Sequence, residues 1–166
     1  MSRIENFTLH NDRGQTVLAS NLLTWKDDLH HPSGIFGPVL KHSWQVDDQT
    51  YERLNPRNDG MGVLPRFAGF IVFESAWKPD NCLLLDVYGK ERMRLTVPRH
   101  LTGGLVDPSY ETGAGTFCYV CSTPYVNPKT GVQGQFGVEA YVEEGRFYFE
   151  LNYHTGEFLW GRQIRD

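Results

Sequence analysis

The chain has no apolar run near the roughly 18 residues that a membrane-spanning helix needs. Its longest apolar stretches, near Phe67–Phe73 and Cys82–Leu85, are strand-sized. The opening residues, MSRIENFTLHNDRG, hold no hydrophobic segment of signal-peptide type. Cysteine is scarce: three residues cannot all pair within one chain, and an odd count without an export signal points to free thiols in a reducing compartment. With Met1 at its head, the chain is expected to be cytoplasmic. Basic charge is also in short supply. Sixteen Lys and Arg stand against 20 Asp and Glu, a net charge of -4, which argues against a nucleic-acid partner. Internal repeats and low-complexity tracts are absent, and few windows keep a helical period.

What is present is aromatic and β-like. Ten Phe, 8 Tyr and 4 Trp in 166 residues suit a single globular domain over residues 1–166 with a substantial core. Seventeen glycines and nine prolines punctuate short segments. FTLH and QTVLA flank NDRG, a hairpin turn. GFIVFESAW reads as a buried strand ending before Pro79, and TFCYVC as another. LLLDVY and RMRLTV flank a three-residue loop, Gly89-Lys90-Glu91, which would set Asp86 opposite Arg94. The last fifty residues read as a meander over Phe136–Val142, Arg146–Tyr153 and Glu157–Gly161. One short helix is expected in QVDDQTYERL, Gln45–Leu54, capped by Asp47 or Asp48. The region 21–65 otherwise reads as long loops. Together these features predict a mainly β fold, an antiparallel sandwich or distorted barrel.

The most legible stretch is FGVEAYVEEGRFYFELN, Phe136–Asn152. A two-residue turn at Glu144-Gly145 would pair Glu143 with Arg146, Tyr141 with Tyr148, and Glu139 with Glu150. Carboxylates facing each other across a ladder destabilise it unless a cation, a shared proton or a metal offsets them. A pair at that spacing beside tyrosines suits acid and nucleophile work on a glycosidic bond, with Glu139 and Glu150 as the catalytic candidates. In composition the stretch resembles the aromatic-lined sheets on which some sandwich-fold glycosidases carry such a pair. The plainer alternatives are a solvated face, neutralisation by a neighbouring Lys or Arg, and an acidic patch for a basic partner or a cation. The next turn decides which face Phe158 and Trp160 join. A Thr155-Gly156 turn, favoured because it buries more apolar area, sends both to the core with Leu151. A three-residue loop from His154 sends both beside Glu150.

Other motifs carry less. Cys118 and Cys121 fit C-x-x-C, but on a strand their thiols point apart, no further ligand pair follows, and they read as structural. Asp27, Asp28, His30 and His31 crowd one polar loop, with His42 or His10 as a conceivable third ligand. His100 and His154 read as surface residues. The glycine pairs lack the context of a phosphate loop, and no G-x-S-x-G is present. Trp25, Trp44, Trp77 and Trp160 divide between core packing and a recognition surface.

The reading that follows is a soluble, acidic, cytoplasmic binding protein without cofactor or metal. Its expected partner is a protein with a basic surface, in an inhibitor or immunity-type role, met through Asp47, Asp48, Glu139, Tyr141, Glu143, Glu144, Tyr148 and Glu150. Nucleic acid and membrane are not expected partners. The alternative is a glycan-active enzyme or lectin using Glu139, Glu150, Tyr141 and Tyr148.

Overall fold

The computed structural model describes residues 2–18, 37–102, 115–121, 123–142 and 145–164. Among these residues the protein is mainly antiparallel β-sheet, in three four-stranded sheets of which none closes into a barrel. Helix is limited to two three-residue 3₁₀ turns, Pro65–Phe67 and Arg99–Leu101. No helix here is long and apolar enough to cross a membrane. The chain divides into two compact units. The first comprises Met1–Ser75 and Leu83–Met93, and the second Ala76–Cys82 and Arg94–Asp166.

In the first unit, β1 (Glu5–Asn11), β2 (Thr16–Leu18), β3 (Val39–Val46) and β4 (Gln49–Leu54) form a sheet in the order β2-β1-β3-β4. The NDRG turn forms as expected. The Asn11 carboxamide oxygen accepts from the backbone N–H groups of Arg13 and Gln15, an Asx-type closure. A second sheet, in sequence order, contains β5 (Gly60–Val63), β6 (Phe70–Phe73), β7 (Cys82–Leu85) and β8 (Glu91–Leu95). Phe7, Leu9, Trp44 and Val46 of the first sheet share one buried cluster with Met61, Val63, Phe70 and Leu85 of the second. Trp44 and Phe70 meet at 4.6 Å between ring centroids, and the Trp44 indole N–H donates to the Val87 carbonyl. The unit is therefore a sandwich with an aromatic centre.

Two local expectations are corrected here. Gln45–Leu54 is a β-hairpin, with Asp47 and Asp48 as its two-residue turn at φ of 50° and 66°. Both turn residues lie in the left-handed region, which aspartate tolerates better than most side chains, and the turn's twist matches the flanking strands. The apolar residues Trp44, Val46 and Tyr51 alternate with polar ones at a period of two, so burial selects strand over helix. The loop-rich reading of 21–65 thus gives way to β3, β4 and β5; residues 19–36 lie outside the described set. In the β7–β8 connection the Asp86 N–H donates to the Lys90 carbonyl, so the loop is Val87–Gly89 and Asp86 does not oppose Arg94. The Asp86 carboxylate instead accepts from the backbone N–H groups of Tyr88 and Lys90, and Arg94 donates to the Asp80 carbonyl.

The second unit carries β9 (Thr116–Val120), β10 (Gly137–Val142), β11 (Gly145–Asn152) and β12 (Glu157–Ile164), ordered β12-β11-β10-β9. One face packs Phe117, Val138, Ala140, Phe147, Phe149 and Leu151, all buried. The three cysteines are free thiols. Cys118 donates to the Glu139 carbonyl, and Cys121 to that of Thr123.

Candidate functional site

The hairpin of β10 and β11 forms, but one turn residue earlier than expected. Val142 pairs with Gly145, so the connection is residues 143–144. A two-residue turn moved by one position keeps every side chain on its face and shifts each cross-strand partner by two. Glu139 therefore opposes Tyr148, Tyr141 opposes Arg146, and Glu150 opposes Gly137. The facing glutamates do not form: Glu139 and Glu150 share a face on different rungs. Glu143 and Glu144, two of the expected binding residues, lie outside the described residues, as do the Asp27–His31 cluster and Trp25.

The glutamate face is covered rather than solvated. Glu139 is 5% exposed and Tyr148 is fully buried. Arg146 Nε lies 3.6 Å from Glu139 Oε1, so a neighbouring cation neutralises the carboxylate from its own sheet. Tyr125 packs edge-on against Tyr148 at 4.9 Å, and the Arg162 guanidinium stacks over Tyr125 at 4.7 Å. Gly134 and Gly137 allow the close approach: a Cβ at Gly134 would meet the Glu150 carboxylate, and one at Gly137 would run into the Tyr148 ring. Burial raises the Tyr148 phenol above its ordinary range, with the nearby Glu150 charge adding to the effect. Among the described residues the Tyr148 hydroxyl makes no hydrogen bond of good geometry.

Glu150 is held differently. Trp160 pairs with it across β11–β12, and the indole Nε1–H donates to Glu150 Oε1 at 2.9 Å. A register shift between Glu150 and Leu151 leaves Leu159 as an extra residue on β12. Phe158 consequently pairs with Leu151 and reaches the core ring of Phe149, while Trp160 turns to the glutamate face. Each of the two expected turns was right about one aromatic, because the bulge changes the alternation between them. Tyr141 is half-buried beneath Trp77, which is 66% exposed and stacked on it at 6.0 Å.

The remaining expected binding residues, Asp47 and Asp48, lie in the first unit on an exposed turn. The Ser2 hydroxyl donates to Asp47 Oδ2 at 2.8 Å and lies 3.3 Å from the Tyr88 hydroxyl. Tyr88 is 48% exposed and packs on Tyr51 at 5.5 Å. Two carboxylates and an exposed phenol therefore share one surface. Ser2 and Tyr88 were not foreseen, because the Ser2–Asp47 and Ser2–Tyr88 contacts cross 45 and 86 residues of sequence. Among the other histidines, His42 is buried and stacked on Phe7, and His10 shares a hydrogen bond with Ser43. His100 and His154 are exposed, as expected. Among the described residues no group of three His, Cys, Asp or Glu side chains is arranged to hold a metal ion.

No family model matches the chain, and no curated protein matches it. Among solved structures, it is similar in fold to a chain from the structure of Tne2 in complex with Tni2. The TM-score is 0.66 at 13% identity, over 98% of this chain and 99% of that one. That likeness spans both chains end to end and concerns fold; the structure it comes from is a complex of two proteins.

Proposed function

We propose that the protein acts by binding another protein, in an inhibitor or immunity-type role, through the surface around the Asp47–Asp48 turn. The observation that carries this reading is the exposed carboxylate pair fixed on a tight turn, braced by Ser2, beside the exposed ring of Tyr88. A preformed acidic and aromatic surface suits the Lys and Arg side chains of a partner with a basic face. The net charge of -4 favours encounter with such a partner. Similarity in fold to a chain solved within a two-protein complex supports the same reading. In this account Glu139 and Tyr148, buried in the second unit, and the half-buried Arg146 beside them serve the fold.

The test compares the wild-type protein with Asp47→Asn/Asp48→Asn. Asparagine also accepts left-handed backbone, so the turn is kept and only charge is removed. A co-purifying protein is identified with the wild-type bait, reconstituted, and its association measured over a range of salt. The expected result is affinity weakened by about ten-fold, chiefly through a slower on-rate, with a flatter salt dependence. Equal affinity and an equal salt slope for both proteins would rule out this surface.

A further inference from the structure

The β5–β6 hairpin closes through Pro65–Ala68, and this loop holds an arginine in an unusual way. Arg66 has φ 59° and ψ 21°, and Phe67 follows at φ 58°. Two successive left-handed residues are sterically costly for L side chains with a Cβ, and turns of this kind favour Gly, Asn or Asp. Phe67 has a structural reason for its identity: its ring packs against the buried cluster of the first unit, and the Arg3 guanidinium lies 4.1 Å above it. The loop is tied down by hydrogen bonds from Leu64 N–H to the Gly69 carbonyl, from Phe67 N–H to Leu64, and from Ala68 N–H to Pro65. Arg66 has no such reason. Its side chain is exposed and, among the described residues, makes no hydrogen bond, ion pair or ring contact. A strained position occupied by a residue that does nothing for the fold points to recognition.

The loop and the surface described above are each contacted by the N-terminal segment. Ser2 binds Asp47, and the next residue, Arg3, covers Phe67 beside Arg66. The N-terminal segment thus joins an acidic end, Asp47–Asp48, to a cationic end, Arg66. We infer that Arg66 is a second contact of the same docking surface, engaging a carboxylate of the partner protein while Asp47 and Asp48 engage its basic side chains. This inference rests on the protein-binding reading and adds a polarity to it: the partner face must carry both signs, in that order. A loop fixed before binding presents the guanidinium with little ordering cost, and a guanidinium matches a carboxylate in a forked geometry.

Two measurements on the full chain test it. The first follows arginine side-chain Nε–H signals by NMR as acetyl-pentaglutamate amide is added at about 50 mM and about 300 mM salt. Arg57, exposed on an ordinary turn, is the control. The Arg66 signal is expected to move about three-fold further than that of Arg57. Equal movement of the two overturns the inference, as does a response of Arg66 to a duplex oligonucleotide but not to the glutamate peptide. The second measures thermal unfolding of Arg66→Asn and Arg66→Ala. Asparagine should relieve the backbone and raise Tm by about 2–3 °C, whereas alanine should not. No rise with asparagine removes the strain premise and overturns the inference. A parallel titration with acetyl-pentalysine amide, read at the Asp47 and Asp48 backbone amides, separates the two proposals. If those amides respond while Arg66 does not, the protein-binding surface stands and the role of Arg66 falls. If neither responds, both fall.

Discussion

Tyr148 shows how one side chain sets the character of a whole sheet face. It is fully buried, its hydroxyl lacks a well-formed hydrogen bond among the described residues, and its ring is wedged against Gly137. The fold therefore gains from the ring and gains little from the oxygen. Tyr148→Phe is expected to leave stability at neutral pH unchanged or raised by up to about 1 kcal/mol, read from urea unfolding. The same residue predicts a pH effect. Its phenol is held above the ordinary value, so below pH ~10 the folded and unfolded chains both keep the proton and nothing is lost. As pH rises past ~10 the unfolded chain releases its proton first, and stability falls. The loss should be shallower in Tyr148→Phe. An identical alkaline profile in both proteins would mean that the buried phenol has no part in it.

At the scale of elements, turns decide what periodicity leaves open. Replacing Asp48, at φ 66°, with glycine should stabilise the β3–β4 hairpin by about 0.5–1 kcal/mol, measured by chemical denaturation. The bulge at Leu159 is the converse case. Deleting Leu159 forces β12 into plain alternation, so either Phe158 leaves the core or Trp160 leaves Glu150. The expected cost is about 1–2 kcal/mol, the range for exposing the covered part of one half-buried aromatic, and would show as a lowered urea midpoint. These elements also mark how far the sequence could be read. Strands and their faces were legible, because alternation in Phe136–Asn152 and in the NDRG hairpin is a local property. Register was not. A turn at 143–144 and one at 144–145 satisfy the same alternation, and only packing against β9, β12 and the Tyr125 segment distinguishes them. The Asp47–Asp48 turn was misread as a helix cap because aspartate suits both. Asp47 and Asp48 were thus singled out with the wrong local structure, while Ser2, Tyr88 and Arg66 carried no local signal at all.

For the molecule as a whole, the first unit is a sandwich with an exposed charged end, and the second is a sheet covered on both faces. The proposed binding work falls to the first. The second has a different consequence, which concerns time. Amide protons exchange with solvent only when their hydrogen bonds open, and opening is rarest where a strand is flanked on both sides and buried above and below. β10 and β11 are the inner strands of their sheet, with Phe147 and Phe149 on one face and Glu139 and Tyr148 on the other. Transferred to deuterated water, the protein should keep the protons of Val138–Ala140 and Phe147–Phe149 longest in the second unit. Those of β12, an edge strand interrupted by Leu159, should be gone well before them, so that the order of loss maps the sheet from its rim inward.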